Sequence, residues 1–223
     1  MRTKTKKLSE KIITFIIENI SGDDGRSDVT EESIAAHFRV SRTPVREVLK
    51  HLEHNGIIQT RRSKGIFSKN FTREDVENIY EVRTVLEELA AKDAVKSITP
   101  QVLKELRTYA RITKEARKKR DRRKSNEADR LFHETIMELS GNGYLKRIVK
   151  EIRMVTTSFI PASKLFYLNN KDRNPYSHDK IVKALATRNP EAAAWVIKNH
   201  ICWIKNNILE SLEKNGKRDQ GKK

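Results

Sequence analysis

One cysteine in 223 residues, Cys202, excludes an internal disulfide. Eight glycines and five prolines are too few for a turn-rich all-β architecture. No stretch approaches the roughly 20 consecutive apolar residues of a membrane helix. The basic start, Arg2 to Lys7, leads into an amphipathic segment rather than an apolar signal core. A cytoplasmic protein with no membrane association is therefore expected. Acidic residues are also scarce, with 30 Asp+Glu against 47 Lys+Arg and a formal charge of +17. Such an excess favours a polyanionic partner but says nothing about which sequence is read. The chain is too long for one small module, and 36% hydrophobic residues suffice for a core, so two compact helical domains are expected.

Helical periodicity runs through most of the chain. Leu8, Ile12, Phe15, Ile16 and Ile20 mark a first helix, and Ile34, Ala35 and Phe38 mark a short second one after Thr30. A third opens at Ser41 as N-cap, carries Pro44 in its first turn and stops at Asn55-Gly56. Two β-prone runs, Ile57 to Thr60 and Ile66 to Ser68, flank a turn and read as a hairpin. Beyond Asn70 only helix is expected. The segments run from Thr72, with a stripe of Val76, Ile79, Tyr80, Leu86 and Leu89, then Pro100 to about Ser125, Asn126 to Ser140, Tyr144 to about Phe166, Pro175 to Thr187, and Pro190 to Lys214. The expected division is a helix-and-hairpin domain over 1–70, an all-α domain over 71–213 and a frayed basic tail over 214–223. The run Arg111 to Lys124 holds nine basic residues against Glu115 and Asp121, and reads as a solvated helix face.

Three short helices followed by a hairpin describe a winged helix-turn-helix. In its third helix Val45, Val48, Leu49 and Leu52 follow i, i+3, i+4, i+7 and face inward, which turns Thr43, Arg46, Glu47 and Lys50 outward. Arg42 and Arg46 lie one turn apart, and their guanidinium forks suit guanine O6 and N7, although ordinary surface charge would have the same spacing. His37, His51 and His54 read as surface histidines. The stretch Val40-Ser41-Arg42-Thr43-Pro44-Val45-Arg46-Glu47, continued to Ile58, with Gly65 in the wing, resembles the N-terminal domain of GntR-type bacterial transcription regulators. The resemblance implies that Arg42 and Arg46 contact bases, that Thr43 holds phosphate and that Gly65 approaches the minor groove. Lys50 and Lys64 complete the candidate DNA-binding set. Two departures stand out: Gly22-Asp23-Asp24-Gly25 replaces the family's Pro-Gly lead-in, and Glu32 stands where a further arginine is common.

The other three histidines lie on apolar stripes. Asp129 and His133 share a face with Phe132, Ile136 and Leu139; His178 lies with Ile181, Val182 and Leu185, and His200 with Val196, Ile197 and Ile204. An unpaired buried carboxylate costs several kcal/mol, so Asp129 requires a partner. Hydrogen-bonded core histidines with an Asp–His pair are one reading. The other is a divalent cation, zinc or nickel first and manganese or cobalt next, held by three nitrogens and one oxygen.

Glu127 to His133 continuing to Asn142, then His178 to Leu185 and a closing His200, resemble the FCD effector-binding domain of the FadR subfamily. The resemblance implies one cation on Asp129, His133, His178 and His200, with open positions for a carboxylate effector. Ser177 departs from the Glu that commonly precedes the histidine matching His178. Arg83 shares a face with Ile79, Tyr80 and Leu86 and is the first candidate to clamp the acid, with Arg153 the second; Arg83 and Glu87 can also form an i, i+4 pair. The expected protein is mainly α, a dimeric regulator, with repression as the expected sense. It would bind an inverted-repeat duplex operator and respond to a small organic acid. A metal-dependent enzyme and a non-specific nucleic-acid-binding protein are the competing classes.

Overall fold

Why each segment takes its form is clearest at the helix ends. In the computed structural model, which describes residues 2–20, 27–61, 64–69, 71–162 and 174–220, Thr30 accepts from the Ser33 amide while the Ser33 hydroxyl takes the Thr30 amide. This reciprocal cap starts α2 (Glu31–Phe38) after α1 (Arg2–Asn19). Helix α3 (Arg42–His54) has Ser41 in the N-cap position, but its hydroxyl makes no capping bond; Asn55 closes the helix, and Gly56 follows at φ +63°. Strands β1 (Ile58–Arg61) and β2 (Gly65–Ser68) pair antiparallel, with Ile58 opposite Ser68 and Arg61 opposite Gly65. The four apolar residues of α3, Val45, Val48, Leu49 and Leu52, are buried with Ile12 and Ile16 of α1, Ile34 of α2, and Ile57 and Ile66. Each such side chain contributes about 1.5–3 kcal/mol of transfer free energy.

Among the described residues, those up to Thr72 together with Met154–Ala162 form one compact unit, and Arg73–Arg153 with 174–220 form the other. The second consists of helices. Helix α4 (Arg73–Ala94) packs most extensively on α9 (Pro190–Gln220), and α5 (Pro100–Lys118) lies along α6 (Arg122–Leu139). Helix α7 (Gly143–Ala162) contributes its residues up to Arg153 to this unit, and α8 (His178–Ala186) packs on α5 and α9.

Several expectations are corrected. The expected helix from Pro100 to Ser125 breaks at 119–121, where Arg120 takes φ +57° and Asp121 caps the Lys124 amide at 2.9 Å, so Arg122 already lies in α6. Nine cations compressed into one continuous helix would repel each other, and the break spreads them over two helix ends. Helix α8 starts at His178 rather than Pro175, because Ser177 is extended at φ −60°, ψ 165°. The tail expected to fray from Lys214 remains helical to Gln220: one glycine, Gly216, is too weak a breaker without a proline. Leu89 is exposed at 43%, since the buried face of α4 runs through Val76, Tyr80, Arg83, Thr84, Glu87, Ala90 and Ala94 instead. The Gly22 to Gly25 lead-in, Phe166 and residues 221–223 lie outside the described residues.

Candidate nucleic-acid interface and candidate metal centre

The outward side of α3 carries Arg42, Thr43, Arg46 and Lys50, all exposed, as is Lys64 in the turn before β2. Neither arginine stands alone. Arg46 donates from Nε to Glu31 Oε2 at 3.2 Å and from Nη2 to Glu31 Oε1 at 2.7 Å, and Arg42 Nη1 lies 2.9 Å from Glu32 Oε1. Both carboxylates come from the first turn of α2, where the helix dipole favours negative charge. Glu32, which as a lone anion would face phosphate, is thus tied to one of the arginines expected to read bases.

Gly65 has a structural duty beside the one its resemblance implies. Its φ is +99°, and a Cβ there would lie 2.6 Å from the Ser27 carbonyl oxygen and 3.1 Å from that of Val29. Ser27 donates its amide to the Lys64 carbonyl, and Ile66 donates to Val29, both at 2.9 Å, which fastens the wing to the segment before α2. His37, His51 and His54 are exposed, as expected.

In the second unit His133 on α6, His178 on α8 and His200 on α9 are all at least 95% buried, and one ring nitrogen from each lies within 4.8 Å of the others. All three Nε2 atoms are buried; those of His133 and His200 have no hydrogen-bond partner, and that of His178 makes no well-formed hydrogen bond and meets only the Asp129 carboxylate. Leaving a buried nitrogen bare costs about 1–3 kcal/mol. Asp129, partly shielded on α6, places Oδ1 3.3 Å from His178 Nε2. Metal bonds of about 2.0–2.2 Å put neighbouring ligand atoms roughly 3–3.5 Å apart; the Asp129–His178 spacing meets this, the histidine nitrogens would draw in from their 4.8 Å envelope, and three imidazoles with one carboxylate are a donor set that suits a divalent cation.

The outer atoms of the rings explain which nitrogen stays bare. His133 Nδ1 lies 2.5 Å from Glu87 Oε2, and His200 Nδ1 donates to the Tyr176 carbonyl at 2.8 Å. A proton held at Nδ1 leaves the lone pair at Nε2. Glu87 is fully buried on α4 and accepts from Arg83 Nε at 2.7 Å, with Arg153 Nη1 at 3.6 Å. Burial opposes ionisation of Glu87, yet the groups around it hold its carboxyl well below the usual range. Burial also dominates His133, whose imidazole is lowered to about 4 despite Glu87, and it pushes His200 well down. His133 is therefore neutral at pH 7, and the cations that keep Glu87 ionised there are Arg83 and Arg153. Asp129 is opposed by burial too, but its contact with His178 and the charge of Arg153 hold it low.

The two arginines expected to clamp an acid are held differently. Arg83 is buried as expected, but its Nε is committed to Glu87. Arg153 Nη2 donates to Asp129 Oδ2 at 2.8 Å, placing its guanidinium between Asp129 and Glu87, beside the histidines. The Arg83–Glu87 pair forms as its spacing allows; the contact of Glu87 with His133 and the role of the Tyr176 carbonyl are the parts sequence reasoning missed. Glu87 had a signal, a carboxylate in step with Val76, Tyr80, Arg83 and Ala90 on a helix's inner stripe; a backbone carbonyl has none.

Comparison with known proteins finds the bacterial regulatory proteins, gntR family, over residues 27–67 and the FCD domain over residues 78–202. The gluconate operon transcriptional repressor of Bacillus subtilis (strain 168) is 32% identical over 186 residues, covering 82% of this chain and 74% of that protein. Its counterpart from Bacillus licheniformis is 30% identical with the same coverage. Among solved structures, E. coli McbR/YncC superposes with a TM-score of 0.78 over 92% of this chain and 97% of that one, at 18% identity.

Proposed function

This chain belongs to the gntR family of bacterial regulatory proteins and carries an FCD domain, and from that premise we propose a metal-containing, acid-responsive repressor of the FadR subfamily. It is a DNA-binding transcription regulator and not an enzyme. The observation that supports the finer reading is the convergence of three buried imidazoles, with the Nε2 atoms of His133 and His200 unpartnered and that of His178 facing the Asp129 carboxylate. His133, His178, His200 and Asp129 would hold the cation, zinc or nickel before manganese or cobalt. Once bound, it would offer open coordination positions to a small organic acid. Arg153 would take the acid's second oxygen, while Arg83 acts through Glu87.

Arg42 and Arg46 would read bases, with Thr43, Lys50, Lys64 and the wing at Gly65 on the backbone. Repression is the sense carried by the gluconate operon relatives. No described helix is long and apolar enough to cross a membrane, in keeping with a cytoplasmic regulator. Val82, Val85 and Leu89, exposed at 51%, 62% and 43%, line one side of α4 and would be covered in a homodimer. Such a two-fold dimer, with one winged helix per chain, calls for an inverted-repeat operator. The acid alters DNA affinity to the extent that it prefers one arrangement of the two winged helices, typically by about 1–3 kcal/mol.

Elemental analysis of protein purified without chelator or affinity nickel, followed by calorimetric titration with small organic acids, tests this reading. One cation per chain and acid binding that disappears after chelation are expected. Full acid affinity without metal would refute the coordination mechanism. Metal-dependent acid binding that leaves operator affinity unchanged would refute its role in regulation.

A further inference from the structure

Two adjacent carboxylates in the first turn of α2 grip two arginines of α3 in different ways. Glu31 takes Arg46 side-on, through Nε at 3.2 Å and Nη2 at 2.7 Å. Glu32 meets Arg42 through a single terminal nitrogen, Nη1, at 2.9 Å. Surroundings differ as well: the Glu31 side chain is only 21% exposed, against 58% for Glu32. A guanidinium has two usable forks. With Nε and one hydrogen of Nη2 committed to Glu31, Arg46 keeps its end-on fork of Nη1 and Nη2, the one that pairs bidentately with guanine O6 and N7. Arg42, by contrast, meets a more exposed carboxylate through one nitrogen only, which does not fix the direction of either fork.

We propose that Glu31 is a positioning residue for sequence recognition, holding Arg46 from behind so that its end-on fork faces a guanine, while Glu32 is a counterion that Arg42 sheds on binding. Selectivity at the base pair read by Arg46 then depends on a side chain of the preceding helix that itself touches no base. A flexible arginine can satisfy its charge on any phosphate; one locked side-on by a carboxylate is aimed in one direction. This rests on the reading that Arg46 contacts bases.

The test uses the full chain, an operator selected with it from a random duplex pool, and a scrambled duplex of equal length. Glu31→Gln and Glu32→Gln remove the same charge from adjacent positions, so general electrostatics affects them alike. Glu32→Gln should tighten binding to both duplexes, by roughly threefold to tenfold at 0.1 M salt. Glu31→Gln should instead lower the operator-to-scrambled affinity ratio by about fivefold to tenfold, part of what one bidentate base contact supplies. In an Arg46→Ala background Glu31→Gln should have no further effect on that ratio, since it acts only through Arg46. Glu31→Asp keeps the charge at the helix start but is one methylene too short to hold both nitrogens, and should lose selectivity in the same way; it also serves if Glu31→Gln folds poorly.

Parallel behaviour of the two glutamine variants, with the ratio intact, would overturn the positioning role. If Arg46→Ala weakens operator and scrambled binding equally, base reading by Arg46 fails and the proposal falls with it. If Arg46→Ala relaxes selectivity and neither Glu31 variant does, only the positioning role is lost. Failure of the chain to select any operator would also overturn it.

Discussion

Replacing Glu87 by glutamine should disable the histidine cluster without touching any of its bare nitrogens. Glu87 is fully buried, with one oxygen 2.7 Å from Arg83 Nε and the other 2.5 Å from His133 Nδ1. A carboxylate accepts on both sides, whereas an amide accepts on one and donates on the other. If the amide oxygen faces Arg83, the NH2 group faces His133 Nδ1. The ring can then answer only by moving its proton to Nε2, which removes the lone pair a metal needs. If the amide is turned round, two donors meet at Arg83.

Either arrangement leaves the Arg83 charge without its carboxylate in a site where the arginine is only 4% exposed. Breaking a buried ion pair costs about 3–5 kcal/mol, a large fraction of the roughly 5–15 kcal/mol that holds a domain together. Loss of an outer-sphere carboxylate lowers metal affinity by about 10–100-fold. Urea denaturation in the presence of chelator would measure the first effect, and competition with a coloured chelator the second. Nitrogen NMR of the imidazoles would report the tautomer. A chelated variant within about 1 kcal/mol of the parent, with metal affinity within a factor of about two and the proton still on Nδ1, would refute the reasoning.

Alanine at Arg42 or Arg46 should each cost about 1–3 kcal/mol on operator and relax preference at one position per half-site, as read by quantitative gel shift on a set of operator variants. Gly65→Ala should destabilise the first unit by about 1–3 kcal/mol, because φ +99° and a Ser27 oxygen 2.6 Å from the new Cβ leave it no room; an unchanged melting curve would contradict this. His133→Ala combined with His200→Ala should abolish the one cation per chain, and unchanged metal content by elemental analysis would end the assignment. The part of the chelated protein's stability that depends on neutral His133 should be fully present above about pH 6.5, the ordinary histidine value, and be lost as pH falls toward 4. The folded His133 titrates near 4, so the unfolded chain takes up the proton first, and urea midpoints across this window check the sign.

Local periodicity carries far, and its limits are physical. Val45, Val48, Leu49 and Leu52 are buried as their spacing requires, and so are His133, His178 and His200, because a residue in step with apolar neighbours on a packed helix turns inward whatever its polarity. Leu89 shows where the same rule misleads. Beyond Val76 and Tyr80 the inner face of α4 is lined by Thr84, alanines, a paired arginine and a paired glutamate, so Val82, Val85 and Leu89 fall outside the buried set. Pairings across the fold were not legible at all: Glu87 lies 46 positions from His133, and Arg153 lies 24 from Asp129. The break at Arg120 escaped because arginine seldom adopts left-handed backbone and no glycine marks the spot.

That three-residue connector between α5 and α6 also divides the chain by lineage of its parts. Lys118, Lys119, Arg120, Arg122, Arg123 and Lys124 are all exposed around it, at two helix ends that fray readily. A trypsin-like protease should cut there early. The cut would leave the DNA reader with Arg83 and Glu87 on one fragment, and Asp129, His133, His178 and His200 together on the other. All four candidate ligands thus descend along one uninterrupted stretch of chain, while the carboxylate that orients His133 is lent by the other fragment. Whether the severed halves co-purify becomes a direct reading of how strongly the Glu87–His133 seam and its surrounding core hold without a covalent link.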